Sequence, residues 1–369
     1  MRIAIDCHTL EITHWAGKEQ FVYSLIEQLG KIDLRNNYCL YFRRKVSLPQ
    51  LPKNWRCKFI NLPTPLWHIV ILLDAWIKKT NVFFIPATYF LSAINFLIPS
   101  VIVVFDLTPF LSKTKKTHKL KVRLLEKMFL GYSIKRAKRI IAISDNTKQD
   151  LIHFFPIAKQ KTIVVPLAVH RRYRVIKDKN AIREILKKYN LPNRFILFVG
   201  TIEPRKNIVR LIRTYAIIVK KGEAPPLILV GKKGWNYREI FKIVKDLALE
   251  KKVIFTGYIS DHDLPYLYNA ADLFIYPSLY EGFGLPLLEA MACGTPVITS
   301  NVSSLPEVVG QSALLINPNN ISEISDALER LLSDSVLRER LSSVGLKQAE
   351  LFSWSKTVEQ VLKIITDVT

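Results

Sequence analysis

Short apolar runs rich in β-branched and aromatic residues recur along the whole chain with helical patterning between them, and this alternation most narrows the possible folds. One set covers residues 2–6, 38–42, 57–61, 82–85, 101–105, 139–143 and 162–165; a second covers 195–199, 227–230, 253–256, 273–276, 297–299 and 313–316. The order predicts α/β architecture, a parallel sheet covered by helices on both faces. Between the sets, residues 166–179 contain R-R-Y-R at 171–174 and no clear periodicity, so the interdomain linker is placed there. Domains are expected over residues 1–170 and 175–350, and a chain of 369 residues can give each its own core. An amphipathic helix is expected at 321–333, and F-S-W at 352–354 opens a last helix over 353–369.

Charged residues at 23% and hydrophobic ones at 49% exclude a disordered chain. Cys7, Cys39, Cys57 and Cys293 form no C-x-x-C pair, so neither a disulfide framework nor a zinc site is suggested, and a reducing cytoplasm is the expected compartment. The opening M-R-I-A-I-D reads as a first strand rather than a secretory signal. The apolar stretch 82–105 carries Pro86, Asn95 and Pro99, which favours two strands joined by a loop over a membrane span. Residues 66–77 are too short to span; they read as a buried helix or one lying against lipid, and no transmembrane anchor is expected.

The charge is uneven. Residues 1–170 hold 26 Lys and Arg against 10 Asp and Glu, a net +16 of the total +23. The excess peaks at 113–139, with eleven basic residues and Glu126 the sole acid. Such a face attracts polyanions or is a solvated helix surface; no nucleic-acid module is recognisable, and peripheral contact with an anionic membrane is the preferred reading.

Residues 281–296, E-G-F-G-L-P-L-L-E-A-M-A-C-G-T-P, carry the most specific chemistry. They place Glu281 and Glu289 on either side of a glycine turn that opens a helix predicted at 285–292. Pro286 suits its first turn, and Gly294 with Pro296 supplies the stop. The free N–H groups at such a helix start favour a phosphate above Gly282, Phe283 and Gly284. Upstream, S-D-H-D at 260–263 has the form of a capping box; Asp261 and Asp263 are read as that cap rather than as a metal-binding pair. Arg205 and Lys206 follow the strand 195–199 and the turn G-T-I-E-P at 200–204. Two fixed cations at a strand end can neutralise a departing diphosphate without a metal.

Joined to V-G-T-I-E-P-R-K-N at 199–207 and S-S-L-P-E at 303–307, the E-x7-E segment resembles the nucleotide-sugar half of the retaining family-4 glycosyltransferases. The resemblance is strong over 194–310. It implies the GT-B fold, two facing Rossmann-like domains with a cleft between them, the C-terminal helix packing back on the first domain. It implies that Arg205 and Lys206 bind the donor diphosphate beside Gly200 and the N–H groups of residues 283–285, Leu285 included. Glu281 would face the 3- and 4-hydroxyls of the transferred sugar, and Glu289 the ribose hydroxyls. The base would lie against Gly257, Tyr258 and Ile259. Retention is then expected along a front-face path in which the leaving phosphate oxygen takes the acceptor proton.

The first domain departs from that pattern. Gly17 stands where a glycine pair approaches the phosphate, but Lys18 and Glu19 follow it, and Phe105-Asp106 replaces the usual His-Asp pair. His8 and Asp106 are candidates for the acceptor side. The expected reaction is metal-independent, cofactor-free transfer of a hexose, first mannose from GDP-mannose, to a glycan or polyprenyl-linked acceptor at the inner face of the cell membrane, in lipopolysaccharide or polysaccharide biosynthesis. A UDP- or dTDP-sugar donor is the alternative, as is a non-catalytic GT-B protein that binds sugar nucleotide or polyanion; an epimerase or phosphorylase on the same fold usually lacks the E-x7-E segment. Hydrolase, metalloprotease, NTPase and dinucleotide signatures are absent. Glu281→Ala and Arg205→Ala are each expected to cost turnover, on the order of 10²-fold, far more than stability.

Overall fold

The computed structural model describes residues 1–11, 17–110, 120–222 and 224–368. They form two compact units, one of residues 1–167 with 353–369 and one of 168–352.

In the first unit seven strands build one sheet: β1 (Arg2–Asp6), β2 (Asn37–Phe42), β3 (Trp55–Phe59), β4 (Val82–Ile85), β5 (Ser100–Val104), β6 (Arg139–Ala142) and β7 (Thr162–Val164). Six build the other: β8 (Ile196–Val199), β9 (Leu227–Val230), β10 (Val253–Gly257), β11 (Leu273–Tyr276), β12 (Val297–Ser300) and β13 (Ala313–Ile316). All pairings within them are parallel. The runs β8, β9 and β11 are buried at every residue, as strands covered on both faces must be.

The sheet orders are β3-β2-β1-β4-β5-β6-β7 and β10-β9-β8-β11-β12-β13. Each is doubly wound, so β1 and β4, and likewise β8 and β11, are neighbours at which the winding reverses. Loops leaving their carboxyl ends diverge there and open a crevice, the usual ligand site of such sheets.

Local packing accounts for two departures from expectation. β3 begins two residues before the expected 57–61, because Trp55 sits in register with Tyr38 and stacks on its ring at 4.1 Å. Between β4 and β5 a short helix, Tyr89–Ile94, replaces the expected loop. It is wedged on the long helix Leu120–Arg136, with Phe90 edge-on to Phe129 at 5.0 Å.

One continuous apolar core joins Trp67, Ile71 and Leu72 of helix Thr64–Ile77, Leu91 of the short helix, and Leu130 and Ile134 of helix Leu120–Arg136 to strand residues Ala4, Phe83, Ile102 and Ile140. Helix Thr64–Ile77 is thus buried on one side only; Leu66, Ile69, Leu73, Trp76 and Ile77 face outward and are exposed. The last helix, Trp354–Thr366, packs on Gly17–Ile32, with Trp354 6.0 Å from Phe21, and Thr357 donates to the Pro166 carbonyl at 3.0 Å. No helix of the described residues is long and apolar enough to cross a membrane.

Candidate functional site

The crevice between β8 and β11 brings three of the second unit's candidates together, Arg205, Lys206 and Glu281. After β8 the chain passes Gly200 into a single 3-10 turn, Pro204–Lys206, closed by Asn207 in the left-handed region at φ 60°. After β11 it runs through Ser278 to Glu281. The two loops are stitched by the backbone, Leu279 N–H donating to the Arg205 carbonyl at 2.9 Å.

At their meeting point Glu281 receives both cations. Arg205 Nη1 donates to Glu281 Oε2 at 2.8 Å and to the Tyr280 carbonyl at 2.9 Å, while Nη2 lies 2.9 Å from Glu203 Oε1. Lys206 Nζ donates to Glu281 Oε1 at 2.7 Å and also to the Tyr276 hydroxyl. Lys206 and Glu281 are both buried. Burial opposes ionisation of Glu281, but Arg205 and Lys206 overcome it and hold the carboxyl down to about 2. Burial in turn lowers the Lys206 ammonium, with Glu281 pulling it back up. Removing Glu281 would therefore strand a buried ammonium, at a cost of about 3–5 kcal/mol. A stability cost is thus expected beside the loss of turnover in Glu281→Ala.

The glycine turn is braced from below. Glu281 N–H donates to Ser303 Oγ at 3.1 Å, and the Ser304 hydroxyl is shared between the carbonyls of Phe283 (2.8 Å) and Glu281 (3.0 Å). Gly284 precedes helix Leu285–Ala292 at φ +114°, where a Cβ would also come within 3.0 Å of Leu305 Cδ2. The helix has the predicted bounds, with Pro286 in its first turn.

Glu289 is buried on that helix and accepts from the Tyr268 hydroxyl at 2.9 Å. Burial pushes its carboxyl up to about 7; Tyr268 and Tyr173 counteract this in part, and Asp261 adds to it. The two glutamates of the motif thus sit at opposite ends of the acidity scale, for environments eight residues apart.

Asp261 and Asp263 do not pair. Asp263 is bound by Lys188 Nζ and Tyr189 OH, each at 2.7 Å. Ser260 Oγ accepts from Asp263 N–H at 3.2 Å, one arm of the expected capping box, but helix Leu264–Ala270 begins only after Asp263 and takes no side-chain cap from it.

Gly257 turns at φ +73° and its carbonyl accepts from Gly231 N–H at 2.8 Å, ahead of an exposed Tyr258 and a buried Ile259. Gly231 is a position that sequence reasoning missed. A Cβ there would stand 2.0 Å from the Gly200 carbonyl oxygen, so Gly200, Gly231 and Gly257 close the ends of β8, β9 and β10 as a set. The run L-I-L-V-G at 227–231 was the available signal. Tyr276, Tyr268, Tyr173 and the Ser303-Ser304 brace were likewise not singled out for these contacts.

The remaining candidates belong to the first unit. Gly17 opens helix Gly17–Ile32, and the residues just before it lie outside the described ones. Phe105 is buried edge-on to Phe21 at 5.5 Å with Lys18 Nζ 5.6 Å from its ring, so it is a packing residue with no polar atom to offer. Asp106 Oδ1 accepts from Thr108 N–H at 2.9 Å. His8 Nδ1 donates to Asp6 Oδ1 at 2.8 Å. Of the basic stretch 113–139, residues 113–119 lie outside the described residues.

A family model described as glycosyl transferases group 1 matches residues 178–348. The chain is 40% identical over 244 residues to O-antigen chain mannosyltransferase B of Escherichia coli, a match covering 66% of this chain and 64% of that one. It is 36% identical over 272 residues to the serotype-specific mannosyltransferase WbdA of Escherichia coli, covering 72% of this chain and 33% of that one. The chain thus spans less than two thirds of either relative. Among solved structures, sucrose-phosphate synthase from Thermosynechococcus elongatus superposes with a TM-score of 0.81 at 21% identity, covering 100% of this chain and 98% of that one. That likeness concerns the fold, and it is GT-B.

Proposed function

Through residues 178–348 the chain belongs to the glycosyl transferases group 1 family, and on that premise we propose that it is a retaining mannosyltransferase using GDP-mannose and acting in the assembly of a surface polysaccharide. The observation that carries this reading is the knot of Arg205, Lys206 and Glu281 beside the N-terminal end of helix Leu285–Ala292. Transfer of a sugar from its nucleotide leaves negative charge growing on a diphosphate. Cations and N–H groups already held in place stabilise that charge without reorganising at the moment of reaction. Glu281 supplies the holding: with Glu203 also on Arg205, it balances the two cations and keeps their heads at one point between β8 and β11. In this role Arg205 and Lys206 take the diphosphate, Glu281 turns its carboxylate to the sugar hydroxyls, and Glu289 accepts from the ribose. Mannose is supported by the names of the two Escherichia coli relatives.

The acceptor proposed is a glycan on a lipid carrier, and the partner surface is an anionic bilayer. Helix Thr64–Ile77 presents Leu66, Ile69, Leu73, Trp76 and Ile77 outward and ends at Lys78 and Lys79; helix Leu120–Arg136, which shares the core beneath it, exposes Leu125, Met128 and Tyr132 beside Lys127 and Lys135. Apolar side chains between lysines suit a surface of acidic headgroups over acyl chains.

The deciding experiment is calorimetric titration in EDTA with GDP-mannose, UDP-glucose, UDP-N-acetylglucosamine and dTDP-rhamnose. Selective GDP-mannose binding, lost in Arg205→Ala, is the expected result. Preference for another donor would overturn the mannose assignment, and no binding to any would overturn the donor site.

A further inference from the structure

The reversal point of the first sheet holds a second constellation, apart from Arg205, Lys206 and Glu281. Asp6 is the last residue of β1, Cys7 is buried, and His8 opens the 3-10 turn His8–Glu11; Thr88 follows β4 on the neighbouring strand, and His68 stands in the second turn of helix Thr64–Ile77. One ligand-capable atom from each of Asp6, His8 and His68 lies within 4.8 Å of the other two. Asp6 and His68 are each only 1% exposed.

Two of these three residues carry a buried polar atom with no hydrogen bond among the described residues. His68 Nδ1 is 2.7 Å from the Thr64 carbonyl oxygen, which can only accept, so the proton is on Nδ1 and Nε2 carries a lone pair. That Nε2 is buried and has no partner among the described residues. Asp6 Oδ1 accepts from the ring and the backbone N–H of His8, but Oδ2 is buried and has no hydrogen-bond partner among the described residues. Two buried acceptor atoms are thus left without a hydrogen bond among the described residues, which costs the desolvation of both. The walls are aromatic: Trp67 lies 5.4 Å from His8 and 5.0 Å from His68, and Phe90 lies 5.1 Å from His68.

We propose that Asp6, His8 and His68 bind a divalent transition-metal ion of the zinc class. One carboxylate and two imidazoles are a ligand set for such ions, and three protein ligands leave a coordination position open. The Thr64 carbonyl does for His68 what outer-shell acceptors do for metal-bound histidines, fixing the tautomer and aiming Nε2. Entry is through His8, whose side chain is 24% exposed while that of Asp6 is 1% exposed. Nothing in this site depends on the donor-site reading.

The test uses the full chain stripped with EDTA, desalted, and titrated with Zn²⁺ and with Co²⁺. Elemental analysis after dialysis and visible Co²⁺ absorption are the readouts, with circular dichroism to confirm folding. About one retained equivalent is expected in the parent, with affinity weakened on the order of 10-fold or more in His68→Gln and in His8→Gln. If the buried His68→Gln fails to fold, the half-exposed His8→Gln decides alone. No retained metal in the parent, as when a water bridges Asp6 and His68, would overturn the proposal. So would retention undiminished in the variants, which would place the ion elsewhere.

Discussion

Glu289→Gln separates the structural cost of the proposed ribose-binding carboxylate from its use. In the folded chain Glu289 titrates at about 7 against an ordinary 4.5. At roughly 1.4 kcal/mol per pH unit, that gap makes the buried ion about 3 kcal/mol unfavourable. Between 4.5 and about 7 the folded state holds a proton that the unfolded chain has released. Stability from this group is accordingly full below 4.5, falls as pH rises, and is lost above about 7. Glutamine keeps an oxygen for the Tyr268 hydroxyl and has no ion to bury. The variant should therefore nearly match the parent at about pH 5 and exceed it by about 3 kcal/mol at about pH 8. For a unit of this size that is on the order of 5–10 °C in melting temperature. Scanning calorimetry of both proteins across that range reads the difference. Parallel curves, or a variant less stable at the higher pH, would refute the account of Glu289 as a buried and mostly uncompensated charge. The same variant should bind GDP-mannose more weakly, since an amide cannot take both ribose hydroxyls as a carboxylate does.

Arg205→Ala should lower turnover on the order of 10²-fold while Glu281 keeps its bond to Lys206, and a melting curve near the parent's with near-normal turnover would dismiss Arg205 from the reaction. Glu281→Ala should cost about 3–5 kcal/mol as well as activity, because it leaves the buried Lys206 ammonium without its carboxylate; urea unfolding checks this, and an unchanged midpoint contradicts it. Gly231→Ala drives a methyl to 2.0 Å from the Gly200 carbonyl, so donor binding and melting temperature should fall together, and retention of both would show the strand ends to be looser than drawn. Leu73→Glu with Trp76→Glu should abolish flotation with anionic vesicles without changing GDP-mannose affinity; flotation by the double variant would remove helix Thr64–Ile77 from the membrane surface.

Strand positions were legible because a strand buried on both faces is an uninterrupted apolar run, and L-F-I-Y at 273–276 or L-I-L-V at 227–230 has no competing reading. Helix Leu285–Ala292 was legible to the residue because Gly284, Pro286 and Gly294 mark both its ends. Partners across the chain were not. Lys206 reads from sequence as a cation for the diphosphate, but its own partner emerges when β8 and β11 are placed side by side, which puts its ammonium 2.7 Å from a carboxylate seventy-five positions away. The opposite acidities of Glu281 and Glu289 are equally a matter of neighbours, two cations in one case and two phenols with Asp261 in the other. His68 carried no local signal, since its relation to Asp6 exists only once helix Thr64–Ile77 lies on the sheet.

The first unit takes its last helix, Trp354–Thr366, from beyond the second, so it is discontinuous in sequence while the second is one unbroken stretch. During synthesis, residues 168–352 can complete their core as soon as they leave the ribosome. The first unit must wait, with the surface beneath Phe21 and the Pro166 carbonyl uncovered, until Trp354 and Thr357 arrive. A chain stalled or clipped near residue 350 would keep its second unit and expose the first to aggregation and proteolysis, making the final helix a timer on when the first unit becomes durable.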